Sequence, residues 1–324
     1  MFLLRFDMRA PASGAPATAL YGAALEMAAW AETRGCMSIV LSEHHASEDG
    51  YLPSPLLLAS AIAARTTTVP ITVAVVLLPL YDPIRLAEEM AVLDIISNGR
   101  VSYVAGIGYW PVEYAMFGVE FRARGRIADS KLEVLLRAKA GEPFDVDGER
   151  IEIAPPPITP GGPMVMWGGG SAAAARRAGR FGLGFLAQGG GPELETEYER
   201  AARDTGHEPA FCFVPNADDP MTVFVAADVD RAWDELGPYL MHDARAYASW
   251  NEGNDHTASI SFATTAEELR AENRSHRILT VEEARTRVQT GALLPLHPLI
   301  GGLPPDIAWR YLETAATVTA TAGA

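Results

Sequence analysis

The sequence predicts an α/β protein built on parallel strands, of a size that suits a (β/α)8 TIM barrel with insertions. Three observations lead there. The chain has 324 residues, 48% of them hydrophobic, and such barrels run from about 200 to over 400 residues. Roughly its first hundred residues alternate strand-like and helix-like segments four times with no hairpin signal, which calls for parallel pairing. Segments such as MSIVLS are continuously apolar, as strands covered on both faces are.

The elements follow in order. FLLRF (2–6) reads as the first strand. TALYGAALEMAAWAETRG follows as a helix, with Leu20, Ala24, Met27, Ala28 and Ala31 at helical spacing and Gly35 as its stop. MSIVLS is the second strand, SPLLLASAIAART a helix and ITVAVVLL the third strand. DPIRLAEEMAVLDIISNGR is a helix opened by Asp82 and Pro83 and closed by Asn98 and Gly99. VSYVAG, MVMWG, GFLA, TVFVA and LLPLHP complete eight strands. No repeat or long linker divides the chain, so residues 1–324 are expected to form one domain. The stretch from about Arg231 to Arg287 is expected to be an insertion before the last strand, and the tail from Thr317 to fray.

Bulk properties narrow the function. A net charge of −15 argues against a nucleic-acid partner, which clustered Lys and Arg would serve. Cys36 and Cys212 lack disulfide or zinc spacing and are expected to be buried apolar residues. The start MFLLRFDMRAPASG is too soon charged for a signal-peptide core. The longest apolar run, VAVVLLPLY, is half a membrane span and contains Pro79. The expectation is a soluble, cytoplasmic protein without a membrane.

In parallel architectures ligands bind at the carboxyl ends of the strands, so the residues just after each strand are the informative ones. After the second strand stand Glu43, His44 and His45. Successive residues of a strand face opposite ways, so the two histidines do not serve one metal, and His44 is the candidate proton donor or acceptor. After the third strand comes Tyr81. After the fourth come Gly106, Ile107, Gly108, Tyr109 and Trp110, where the glycines leave room for a flat group and the rings offer apolar surface. After the fifth, Gly168, Gly169, Gly170 and Ser171 run into AAAARRAGRFG. A glycine turn that opens a helix, with a serine at its cap, is an anion site, and it points to a phosphate-bearing ligand.

In order along the chain, LSEHHASEDGYLPSPLLLASAIAART, LLPLYDPIRLAEEMAVLDIISNGRVSYVAGIGYWPVEYAMFG, MWGGGSAAAARRAGRFGLGFL and PLIGGLPPDIAW resemble the bacterial luciferase-like flavin-dependent oxidoreductases. The resemblance implies a luciferase-like barrel that binds reduced FMN, or alternatively the deazaflavin coenzyme F-420, at the strand ends. It implies monooxygenation with FMN and O2, or hydride transfer with the deazaflavin. On matching positions it makes His44 catalytic and places Glu43 beneath the flavin ring. It puts a non-prolyl cis peptide at Ala74–Val75, assigns Gly106 and Gly108 to the cofactor loop, and puts the phosphate at Gly169, Gly170 and Ser171.

His45, Tyr81, Tyr109 and Trp110 are then expected to line the pocket of a small apolar or aromatic substrate. The stretch Tyr239–His256 is expected to lid the site, with His242 and Tyr247 as contributors. Two departures stand out. Ile107 replaces an arginine that relatives place on the phosphate, which implies weak FMN binding, a preference for the deazaflavin, or recruitment of Arg176 or Arg177 instead. Gly106 replaces luciferase's cysteine, which argues against light emission. A separate flavin reductase and a homodimer are the expected partners. The competing readings are a deazaflavin-dependent dehydrogenase or reductase and a barrel that binds flavin without catalysis.

Overall fold

The computed structural model describes residues 1–216, 219–251 and 260–319. The first half of the chain forms β1 (Phe2–Phe6), α1 (Ala17–Glu32), β2 (Cys36–Leu41), α2 (Pro55–Arg65), β3 (Ile71–Leu77), α3 (Pro83–Ser97), β4 (Val101–Gly106), α4 (Pro111–Met116), α5 (Arg124–Ala138), β5 (Phe144–Val146) and β6 (Glu149–Ile151). The second half forms β7 (Val165–Gly168), α6 (Ala172–Arg180), β8 (Gly184–Leu186), α7 (Glu193–Asp204), β9 (Cys212–Phe213), β10 (Thr222–Ala226), α8 (Val229–Trp250), α9 (Ala266–Glu272), β11 (His276–Thr280), α10 (Val281–Gln289), β12 (Leu294–Leu296) and α11 (Pro305–Thr319). All eight expected strands are present.

Two compact units emerge, one of Met1–Pro53 with Pro215–Ala324 and one of Ser54–Val214. In the first, the strands lie in the order β11-β10-β12-β1-β2, every pair parallel. Phe2, Leu4 and Phe6 of β1 are buried, and all five residues of β10 are. The five α1 positions expected at helical spacing are buried as well. β2 departs from the expected continuous burial, because Met37 near its start is exposed.

The stretch expected to be an insertion holds more of the fold than an insertion would. It contributes the 22-residue α8 and also β11, paired with β10 from Thr222↔His276 to Ala226↔Thr280. The sequence HRILT hid this strand because it opens with a histidine that is buried, His276. The tail expected to fray from Thr317 continues α11 to Thr319, with Val318 buried. Its remaining residues, 320–324, lie outside the described ones, as does the 252–256 part of the expected lid.

In the second unit the order is β3-β4-β7-β8-β9, again parallel, with β5 and β6 as an antiparallel hairpin. α3 begins and ends as its sequence requires. Asp82 accepts from the Ile84 and Arg85 amides, Pro83 occupies the first turn, and Asn98 closes the helix at φ 54°. Cys212 is only half-buried, against the expectation, while Cys36 is buried. Burial pushes the Cys36 thiol up to about 11, as suits an inert cysteine.

Asp94 of α3 fixes the approach to β7. Its buried carboxylate accepts from the Ile158 and Thr159 amides, both at 2.8 Å, and from Thr159 Oγ1 at 2.7 Å. Removing a buried acceptor leaves several donors without a partner. Asp94→Ala should therefore lower unfolding free energy by about 2–4 kcal/mol, read from urea denaturation.

Candidate active site

At the end of β2 the side chains alternate as a strand's would. Glu43 and His45 turn to each other, Glu43 Oε1 lying 2.8 Å from His45 Nε2. The His44 ring packs against Tyr51 (centroids 4.9 Å apart), Trp250 (4.8 Å) and Tyr247 (6.2 Å). All three residues of the motif are buried, and the His44 amide donates to the Leu52 carbonyl at 3.2 Å.

Behind the rings lies Arg9, which is fully buried. Its guanidinium carbon sits 4.6 Å from the Tyr51 centroid, 5.0 Å from that of Tyr247 and 4.6 Å from that of Trp250. Desolvated cation–π contacts of this kind contribute up to about 2 kcal/mol each. Its nitrogens meet three carboxylates: Nη1 lies 2.6 Å from Asp49 Oδ2, and Nε 3.2 Å from Asp7 Oδ2 and 3.5 Å from Asp243 Oδ1. A histidine faces each carboxylate. His242 Nε2 is 2.7 Å from Asp49, His276 Nε2 2.9 Å from Asp243, and His297 Nε2 3.4 Å from Asp7.

The charges are mutually dependent. Burial opposes ionisation of Asp49, yet the His242 bond and the Arg9 charge hold its carboxyl below the usual carboxylate range. Asp243 behaves likewise through His276 and Arg9. Burial, with Tyr247 and Asp7 nearby, pushes the Tyr51 phenol well up. Burial and Asp243 do the same for Tyr247. The two hydroxyls share a hydrogen bond of 2.8 Å.

In the second unit the Ala74–Val75 peptide is cis, at the position the resemblance gave. Gly106 and Gly108 leave room, but the protein itself fills it. A Cβ on Gly106 would meet Val75 Cγ1 at 2.5 Å, and one on Gly108, at φ +65°, would meet Leu77 Cδ2 at 3.1 Å. Tyr114 hydroxyl donates to the Ile107 carbonyl and so holds this loop. Tyr81, Tyr109 and Trp110 are half-buried, and the Tyr81 carbonyl accepts from Lys131 Nζ at 2.6 Å.

After β7, Gly169 takes φ +146°, and Ser171 caps α6 by accepting from the Ala174 amide at 3.3 Å. A Cβ on Gly170 would meet nothing within 4 Å, so the turn is open on that side. The arginines expected to stand in for the missing one are committed elsewhere. Arg176 pairs with Glu197 at 2.9 Å and Arg177 with Asp129 at 2.5 Å. Arg177 also donates to the Gly125 carbonyl.

Asp7, Arg9, Asp49, Asp243, His276 and His297 were not singled out from the sequence. The strand-end rule selects three of them, since Asp7 and Arg9 follow β1 and His297 follows β12. Of the expected lid, Tyr239–Trp250 is the end of α8. His242 and Tyr247 join the Arg9 cluster.

The luciferase-like monooxygenase family model matches residues 2–291. The chain belongs to the luciferase-like monooxygenases. Among relatives of known activity, 4-hydroxyprotoasukamycin monooxygenase of Streptomyces nodosus subsp. asukaensis is 27% identical over 191 residues, covering 56% of this chain and 51% of that protein. The chain spans about half or less of the length of the first curated relatives it matches.

Among solved structures, monooxygenase RslO1 from Streptomyces bottropensis aligns with TM-score 0.77 at 22% identity over 98% of this chain and 97% of its own. The oxygenating constituent of 3,6-diketocamphane monooxygenase from Pseudomonas putida, solved with FMN, aligns with TM-score 0.70 at 19% identity over 99% and 98%. The fold of this luciferase-like chain is thus the (β/α)8 class that the sequence leads one to expect.

A carboxyl held low in the folded state contributes stability above the unfolded carboxylate pKa and loses it as pH falls through the folded value. Asp49 and Asp243 should make stability drop as pH goes below about 4. Asp49→Asn should be less stable at neutral pH and show a shallower loss in acid, in urea melts between pH 7 and pH 2 followed by tryptophan fluorescence.

Proposed function

We propose that this chain is a flavin-dependent monooxygenase that uses reduced FMN and O2 on a small apolar or aromatic substrate, with His44 as its acid–base residue. The observation that carries this reading is a buried histidine framed by aromatic rings at the end of β2, in a chain matched by the family almost throughout. Imidazole titrates near neutral pH, so it can both give and take a proton during turnover.

The residues of the second unit fit a phosphate. The first turn of an α-helix leaves amide donors unused, and Ser171, the open Gly170 and Gly169 precede such a turn. These residues would hold the FMN phosphate, with Ala74, Val75, Gly106 and Gly108 beside the ring. Glu43 is proposed as a further cofactor contact, and its bond to His45 fixes the carboxylate's orientation. Tyr81, Tyr109 and Trp110, with His45, supply the substrate wall. When bound, reduced FMN supplies the electrons that activate O2; the protein's part is to orient, exclude water and move a proton at His44.

A relative 36% identical over 95 residues is named the oxygenase component of a flavin-dependent trigonelline monooxygenase, which supports reduced flavin supplied by a separate reductase. Exposed Leu57 on α2 and exposed Val92, Ile95 and Ile96 on α3 support a homodimer, since apolar patches of this kind mark association surfaces. No helix among the described residues is long and apolar enough to cross a membrane, which supports a cytoplasmic setting. We take residues 1–324 as one catalytic domain, because the family match runs through both units.

An anaerobic titration with reduced FMN and, in parallel, with reduced deazaflavin coenzyme tests the cofactor. Binding of FMN alone is expected. Binding of the deazaflavin alone would move the reading to hydride transfer, and binding of neither would remove its basis. His44→Ala should bind reduced FMN as the parent does and lose turnover by about 10²–10⁴-fold; unchanged turnover would sink the role given to His44. Restoring the phosphate partner should also help. Ile107→Arg is expected to tighten reduced FMN by about tenfold or more, the size of one charge-assisted contact, measured in the same titration.

A further inference from the structure

We propose that Arg9 is a positioning residue: through Tyr51, Tyr247 and Trp250 it sets the orientation of the His44 ring, making the end of α8 part of the acid–base apparatus. This rests on the reading of His44 given above. The same three rings touch both groups, at 4.6–5.0 Å from the Arg9 guanidinium carbon and at 4.8–6.2 Å, centroid to centroid, from His44. The rings that Arg9 grips are thus the rings that His44 packs against.

The guanidinium is in turn held by hydrogen bonds to Asp7 after β1 and Asp49 in the loop after β2, with the Asp243 carboxylate of α8 3.5 Å away. Backbone bonds sew the same segments together. Leu52 donates to the Asp7 carbonyl at 2.8 Å, His44 to Leu52 at 3.2 Å and Ala10 to Asp49 at 2.6 Å.

Volume alone does not account for the arrangement, since an aliphatic side chain would fill the space between three rings without charge. A planar cation adds two constraints: it attracts each ring face, and its fork fixes the rings' angle relative to the carboxylates. Lysine would keep the charge but neither the plane nor the fork. Tyr247 and Trp250 reach the box from one turn of one helix, so a shift of Arg9 moves both together.

The test combines turnover of reduced FMN under O2 with imidazole NMR of the full chain, the His44 signals being assigned by their loss in His44→Gln. Arg9→Lys and Trp250→Leu should each lower kcat about tenfold, keep KM for reduced FMN within about threefold, and displace the His44 resonances. Because one path is broken in both, the double variant should lose little beyond the worse single one, whereas independent sites would multiply. If Arg9→Lys fails to fold, Tyr247→Phe, which removes only the hydroxyl pair, and Trp250→Leu carry the NMR measurement.

Folded variants with parental His44 resonances and kcat, or losses that multiply, would overturn the proposal. If His44→Gln turns over normally, the functional reading fails instead. The positioning claim then stands or falls on whether the His44 resonances move.

Discussion

A guanidinium stripped of water must find substitutes for its hydration, and in this protein that demand organises one whole unit. Arg9 is fully buried. Its Nη1 donates to Asp49 and its Nε to Asp7, Asp243 lies 3.5 Å away and three rings lie against it, all from segments far apart in sequence: the turn after β1, the loop after β2 and the end of α8. A histidine lies beside each of the three aspartates. Strand order alone brings β1, β2 and β12 side by side; the Arg9 cluster decides what their carboxyl ends present.

The second unit solves a different problem. Its strand-end residues are mostly glycines, and its chemistry is backbone chemistry: an open turn, a serine cap and a helix start. The α6 arginines are paired with Glu197 and Asp129. The two units thus differ in kind. The first gathers titratable groups among aromatic rings, while the second offers a glycine turn and a helix start.

Much of this was legible from residues whose local physics is unambiguous. Asp82–Pro83 and Asn98–Gly99 mark α3 because a cap, a proline and a left-handed closing residue leave few alternatives. Ser171 declared its cap, and the pair His44–His45 could be assigned to opposite faces by strand periodicity alone. What escaped had a tertiary cause. Asp94 looks like a solvent-facing helix residue until the loop at 158–159 arrives to use it. HRILT looks like connecting chain because its buried histidine finds its hydrogen-bond partner in an aspartate more than thirty residues upstream. Arg9 reads as surface charge because nothing local reveals three rings. The pairing of Arg176 and Arg177 escaped for the same reason: their partners, Glu197 and Asp129, lie on other helices.

The glycines at 106 and 168 have a consequence beyond their own positions. Val75 points one methyl at the place a Gly106 side chain would occupy and the other toward that of Gly168. Val104 comes nearer still to Gly168, at 2.9 Å from where a Cβ would stand. In descendants of this chain, position 75 should shrink when Gly106 acquires a side chain, and position 104 when Gly168 does. The wall formed by these strands is heritable only as matched sets of neighbours.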